Sequence, residues 1–92
     1  PNDIIARVAD VYGVAVEDII SKSRQSKVVT PRFVAMYLTR KLTDMTTTDI
    51  GRQFGDRDHS TVVNAINKNE HDMKNNFEFK EQIEDLKVEL RS

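Results

Sequence analysis

Residues 55–62, with the sequence GDRDHSTV, concentrate the side chains that most often do chemistry in proteins. After the glycine come two aspartates, an arginine, a histidine, a serine and a threonine. Such groups can form a hydrolytic triad, ligate a metal ion, or exchange hydrogen bonds with a partner such as nucleic acid. Their spacing, and the elements that must position them, decide between these three kinds of site.

The order of Asp58, His59 and Ser60 argues against a triad. Successive residues of a helix point about 100° apart, whereas the acid, base and nucleophile of a triad hydrogen-bond in series at one point. The chain has no cysteine that could act as a nucleophile, and its three glycines do not form a phosphate-binding loop with a lysine. The sequence therefore predicts no enzyme and no catalytic residue.

A metal site is not predicted either. The two histidines, His59 and His71, are too far apart for the i, i+4 spacing with which helical sites hold a metal ion, and neighbouring acidic residues lack ligand spacing. We expect no cofactor in these residues.

Length and composition favour one small domain. The 92 residues suffice for a single modest core, so we expect one domain over residues 1–92. The absence of cysteine suits a reducing compartment. No apolar stretch reaches the length of a membrane span, and the start, PNDIIARV, is not typical of a signal peptide. It also lacks an initiator methionine, which we interpret as the start of a fragment from a longer protein.

Charge is distributed very unevenly. The net charge is −1, yet residues 22–43 contain only basic charged residues, whereas residues 70–92 are mainly acidic. Such a basic stretch attracts a polyanion within a Debye length of roughly 8–10 Å, although it is equally typical of a solvated loop. The basic residues are Lys22, Arg24, Lys27, Arg32, Arg40 and Lys41.

Apolar spacing predicts helices throughout and no strand, and hence an all-α fold of about six helices. The first helix ends at Gly13, and a short second one covers residues 16–20. Residues 22–29 are predicted as a basic loop, and Thr30 and Pro31 are predicted to start the third helix. The expected inward stripe of that helix is Val34, Ala35, Leu38 and Leu42, with Arg32 at its edge.

The second half of the chain predicts a helix-turn-helix. Thr46 and Asp49 resemble a capping box that starts a short helix, which Gly55 ends, and Asp58 caps a longer one. The longer helix carries Val62, Val63, Ala65 and Ile66, and a last amphipathic helix carries Phe79, Ile83, Leu86 and Leu90. Asp56 stands where a simple helix-turn-helix prefers an apolar residue, so the turn is predicted to be lengthened.

This arrangement places the opening cluster on the first turn of a DNA-recognition helix. Asp58 can accept from a cytosine amino group, and His59 can bond a purine N7 or a phosphate. Ser60 and Thr61 can meet a phosphate or a thymine methyl group. The simpler alternative, in which Asp58 only caps the helix and its neighbours fill an exposed turn, stays open.

The basic stretch is the second feature that indicates DNA. Arg24 could enter a narrow minor groove, while Lys27, Arg32 and Arg40 neutralise phosphates on either side. Because this stretch is separate in sequence from the cluster, two independent features point to the same ligand.

Several motifs resemble one known family. Ile50-Gly51, Phe54-Gly55 and the run from Arg57 to Val62 (RDHSTV), preceded by Pro31-Arg32 and residues 35–38 (AMYL), resemble the C-terminal DNA-binding domain of the bacterial chromosomal replication initiator DnaA. The resemblance covers essentially the whole chain. It implies an all-helical domain with a lengthened helix-turn-helix that binds short boxes repeated at the replication origin, in the cytoplasm and on the nucleoid.

The resemblance also implies roles for single residues. Arg24 corresponds to the minor-groove arginine, Asp58, His59, Ser60 and Thr61 to the major-groove contacts, and Arg32 and Arg40 to backbone contacts. Thr48 lies in a threonine pair that replaces an apolar-proline pair, so its methyl group would make any thymine contact there. The family usually has glutamine where Phe33 stands and often glycine where Asp56 stands.

The leading hypothesis is therefore a non-catalytic module that binds origin boxes in double-stranded DNA. The resemblance places ATP binding, and contacts with further initiator copies, in other domains of a parent chain. Two alternatives remain open. One is a stand-alone helix-turn-helix transcription regulator, and the other is a helical protein-interaction domain that uses its last amphipathic helix.

Overall fold

The computed structural model describes residues 2–91, and the side chains of residues 3–91. This part of the chain contains helices and no strand, so the predicted all-α fold of about six helices is confirmed. None of these helices has the length and apolar character needed to cross a membrane. The helices are α1 (Asn2–Tyr12), α2 (Val16–Ile19), α3 (Ser26–Leu42), α4 (Thr47–Gln53), α5 (His59–Asn75) and α6 (Phe77–Arg91).

Helix α3 is the central element, because it packs against each of the other five helices. Its middle segment is buried on every side, as expected for a helix that is apolar around its circumference. The predicted stripe is confirmed for Val34, Ala35 and Leu38, which are fully buried, and Leu42 is partly buried against the same core. Met36 and Tyr37 are buried as well.

The predicted start of the third helix at Thr30 is wrong, because α3 begins at Ser26. The loop between α2 and α3 is therefore limited to residues 20–25, and Lys27 lies in the first turn of α3. Pro31 lies inside the helix and lacks the N–H that would bond the carbonyl of Lys27.

The last amphipathic helix closes the core from one side. Ile83 and Leu86 of α6 are buried, and Phe79 and Leu90 pack partly buried against the core, as predicted. The Arg7 guanidinium of α1 forms an ion pair with the Glu89 carboxylate of α6, which joins the two ends of the chain.

The helix-turn-helix begins with the predicted capping box. The Thr46 hydroxyl accepts from the Asp49 N–H at 3.1 Å, and the Asp49 carboxylate accepts from the Thr46 N–H at 3.4 Å. Ile50 and Phe54 of this segment are fully buried. The chain then folds back so closely that a Cβ atom at Gly51 would lie 2.0 Å from the Arg57 carbonyl oxygen. Only glycine fits there, and the Arg57 N–H donates to the Gly51 carbonyl at 2.8 Å.

Two successive residues of the turn have left-handed backbone. Gly55 has φ +82°, and Asp56 has φ +57°. Asp56 is the single non-glycine residue with positive φ among the described residues. Glycine adopts this conformation without cost, and aspartate tolerates it better than most other side chains. An aspartate in place of the glycine expected at position 56 therefore affects backbone conformation as well as charge.

We predict that Asp56→Val lowers the free energy of unfolding by about 1–2 kcal/mol, because a β-branched residue is strained in left-handed backbone. Asp56→Gly is expected to leave the stability equal to or above that of the wild type. Urea unfolding followed by circular dichroism measures both. Asp44→Val is the matched control, since Asp44 is also exposed and has no positive φ. Equal losses for the two valine variants would contradict the strain argument.

Candidate nucleic-acid interface

The first turn of α5 is built around the Asp58 cap. Its Oδ1 accepts from the Thr61 N–H at 2.9 Å and from the Thr61 hydroxyl at 3.1 Å. These bonds from Thr61 favour the carboxylate and lower the pKa of Asp58. The predicted cap is therefore confirmed. The cap leaves His59, Ser60 and Thr61 exposed on the leading turn of the helix.

The exposed face of α5 is longer than the sequence indicated. Val63, which belongs to the apolar run of this helix, is 38% exposed, and Asn64 and Asn67 are exposed beside it. These residues follow Ser60 at intervals of three, four and seven, so helical spacing from Ser60 would have identified them. Val63 and Asn67 line one groove with Arg40 of α3. Arg40 thus lies beside the exposed face of α5.

The predicted basic contacts lie at both ends of α3. Arg24 precedes α3 and Lys27 is in its first turn, whereas Arg40 is in its last turn; all three are exposed. The 1.5 Å rise of a helix separates Lys27 from Arg40 by roughly 20 Å. Arg40 also donates to the Met45 carbonyl at 2.8 Å, which holds it beside the start of α4, where Thr48 is exposed.

Arg32 requires a correction, because it is only 4% exposed. Its guanidinium donates through Nε to the Ile19 carbonyl at 2.6 Å, through Nη1 to that of Ser23 at 2.8 Å, and through Nη2 to that of Asp18 at 3.0 Å. Burial, and then the nearby charge of Arg57, lower the pKa of Arg32. Its placement does not support the predicted phosphate contact, since all three of its donor nitrogens face backbone carbonyls.

The loop that carries Arg24 packs directly against the turn before α5. Lys22 donates to the Gly55 carbonyl at 2.6 Å. In the opposite direction, Arg57 donates to the Ser21 carbonyl at 2.6 Å and also to that of Phe54. The two sequence features that indicated DNA, about thirty residues apart, therefore meet in the structure.

Within the described residues, the acidic and histidine side chains near this cluster are not brought together at one point. Among the described side chains, Asp58 bonds Thr61 rather than His59. His59 and His71 stand near opposite ends of α5, roughly 18 Å apart along the helix. Within residues 3–91 no three histidine or acidic side chains are grouped closely enough to hold a metal ion.

Comparison with known proteins assigns the family. The family model described as "Bacterial dnaA protein helix-turn-helix" matches residues 1–68. The chain belongs to the bacterial DnaA helix-turn-helix family. The chromosomal replication initiator proteins DnaA of Limosilactobacillus reuteri strain DSM 20016 and of L. reuteri subsp. reuteri strain JCM 1112 are both 44% identical to it over 86 residues. These matches cover 94% of the chain and 20% of each relative, so the chain spans about a fifth of their length.

Membership in this helix-turn-helix family makes the chain a DNA-binding domain and not a catalytic domain. All the candidate residues lie inside the segment that the family model matches. At one departure from the DnaA pattern, Phe33 is partly buried and packs against the core. Its ring lines a groove with Phe79 and Asn69, so this position contributes apolar packing instead of a polar contact.

We predict that Asp58→Ala lowers the melting temperature by several degrees, because the α5 cap is lost, whereas Asp58→Asn, also a good cap, stays close to the wild type. The pKa of Asp58 is lowered in the folded state, so the ionised cap contributes fully to the free energy of unfolding at pH values above the ordinary aspartate pKa. This contribution is lost as the pH falls through the folded-state pKa. Thermal unfolding at neutral and acidic pH measures this. A wild-type advantage over Asp58→Ala that stays constant down to strongly acidic pH would contradict it.

Proposed function

We propose that the chain binds short boxes in double-stranded DNA at the chromosomal replication origin, as the recognition module of an initiator. The observation that supports this proposal most is that two surfaces meet. The α2–α3 loop, which carries Arg24, packs against residues 55–57, and these lead directly into the exposed start of α5. A duplex that accepts α5 in its major groove would then meet the arginine in the neighbouring minor groove.

In this proposal α5 supplies the base contacts. His59 would bond a purine N7 or a phosphate, while Ser60 and Thr61 would contact a phosphate or a thymine methyl group. Asp58 would serve twice, because its Oδ1 caps the helix while the carboxylate would also be an acceptor for a cytosine amino group. Asn64 extends the same face by one turn, and an amide there suits adenine.

Helix α3 and the start of α4 would contact the DNA backbone. The first turn of α3 contains no acidic residue, and its N-cap, Gln25, makes no side-chain bond. Its backbone N–H groups and Lys27 would therefore favour a phosphate. Arg40 would neutralise a second phosphate, and Thr48 would contact the backbone or a thymine methyl group from the N-terminal turn of α4.

The two alternatives have less support. A protein-interaction domain that uses its last amphipathic helix would need a free apolar face, but Ile83, Leu86, Phe79 and Leu90 of α6 pack into the core and leave two exposed apolar side chains on this helix. A dimeric transcription regulator would need a continuous second apolar face. The exposed large apolar residues of the described chain are instead distributed over α2 and its C-cap, α5 and α6: Val16, Ile20, Val63, Phe77 and Val88.

The wider setting is part of the same proposal. A parent chain would carry ATP binding and the contacts with further initiator copies in its other domains, and it would act in the bacterial cytoplasm at the nucleoid. Because the chain spans about a fifth of the relatives' length, these activities would lie outside its own residues.

The proposal is tested by mixing tagged protein with sheared chromosomal DNA of the bacterium that encodes it and sequencing the captured fragments. We expect captured fragments to cluster at the origin, which marker-frequency analysis of growing cells locates independently. Capture at dispersed palindromic promoters would favour the transcription regulator. Capture without any sequence enrichment would overturn sequence-specific binding.

We predict different effects for a phosphate contact and a base contact. Lys27→Ala should weaken binding to the captured box and to its shuffled version equally, and reduce the salt dependence by about one ion. His59→Ala should instead reduce the preference for the box by about 1–3 kcal/mol. Fluorescence anisotropy titrations at several salt concentrations measure both effects. Lys80→Ala, an exposed lysine of α6, is the control. An unchanged preference in His59→Ala would rule out its base contact.

A further inference from the structure

The α2–α3 loop, residues 20–25, is held from two sides by arginines. From α3, the buried Arg32 guanidinium binds three backbone carbonyls in and just before the loop, those of Asp18, Ile19 and Ser23. A planar guanidinium has donors fixed in a fork, so it can hold several carbonyls at defined positions. A lysine ammonium at this position would not match all three carbonyls.

From the other side, Arg57 connects this loop to the turn of the helix-turn-helix. Its two Nη atoms donate to the carbonyls of Ser21, in the loop, and of Phe54, in the turn. Gly55 permits the close approach, because a Cβ atom there would lie 2.4 Å from the Ile20 carbonyl oxygen and 3.0 Å from Nη1 of Arg57. The Lys22 ammonium adds a second connection, to the Gly55 carbonyl.

Both arginines are bound through carbonyls and not through carboxylates. No ion pair of the described residues includes Arg32 or Arg57. Burial lowers the pKa of each guanidinium, and for Arg32 the charge of Arg57 lowers it further.

We propose that Arg32 and Arg57 are positioning residues that hold Arg24 at a fixed distance and direction from the first turn of α5. This inference rests on the proposed function. Arg24 itself sits in the loop, directly after Ser23, whose carbonyl Arg32 holds. Ordering this loop before binding removes an entropy cost that the complex would otherwise bear. Arg32 and Arg57 thus act on DNA through Arg24, without touching the duplex themselves.

The first test needs no DNA. In the free protein, Arg57→Lys keeps the charge but loses the two-carbonyl bridge. We expect lower backbone ¹⁵N heteronuclear NOE values for residues 21–25 in this variant, with unchanged values in α5 and α6. Arg57 carries the test because it is only partly buried, whereas replacing Arg32 also removes core packing. Arg91→Lys, at an exposed arginine of α6, is the control. Unchanged order in residues 21–25 would overturn the inference.

The second test is a double-mutant cycle on the captured duplex. We expect Arg57→Lys to weaken binding roughly tenfold when Arg24 is present and to have little effect in the Arg24→Ala background. Equal losses in both backgrounds would show that Arg57 contacts the duplex directly or only stabilises the fold, and would overturn the inference.

Different measurements would refute the proposed DNA binding and the positioning role of Arg57. A wild-type protein that binds the captured duplex and its shuffled version equally would refute the proposed function. The NOE comparison would still decide whether Arg57 orders the loop.

Discussion

The close approach of three backbone segments at Gly51 and Gly55 is the constraint on which the recognition surface depends. At Gly51 the turn crosses α4, and at Gly55 the α2–α3 loop meets the turn, each so closely that a side chain would overlap a carbonyl oxygen. The first contact sets the direction in which α5 leaves α4. The second fixes the loop that carries Arg24 relative to α5. The hydrogen bonds of Arg32 and Arg57 then hold the loop and the turn in the close approach that the two glycines allow.

Much of this architecture could be predicted because its causes are local. Apolar spacing located the helices, and the capping residues Thr46 and Asp58 marked the starts of α4 and α5 correctly. The start of α3 was missed for an equally local reason. Gln25 makes no side-chain cap, so Thr30 and Pro31 gave the only visible start signal although α3 had already begun at Ser26.

The misplacements in the candidate site have tertiary causes. Arg32 looked like one more member of a basic stretch, and only the fold of residues 18–23 around it provides the carbonyls that let a guanidinium be buried. Val63 belongs to the apolar run of α5, and only the packing of this helix shows that Val63 faces outward. The sequence also could not show that Arg57, inside the RDHSTV motif, bonds a loop some thirty residues earlier.

These placements also change the electrostatics of the proposed interface. The basic stretch loses one surface charge, since Arg32 is internal, and the Lys41 ammonium lies 5.6 Å from the centre of the Tyr37 ring. Arg24, Lys27 and Arg40 are exposed, as are Lys22 and Lys41, and these are the charges that would be available to phosphates and the minor groove. With so few contacts, affinity would depend on their arrangement more than on total charge, consistent with a net charge of −1.

The central claim is that one chain contacts both grooves of the same duplex, with α5 in the major groove and Arg24 in the minor groove. Methylation interference with dimethyl sulfate tests it most directly, because the reagent marks guanine N7 in the major groove and adenine N3 in the minor groove. We predict interference at N7 in one part of the box and at N3 in an adjacent part, the latter disappearing in Arg24→Ala. Interference confined to one groove, or none in either, would contradict the account.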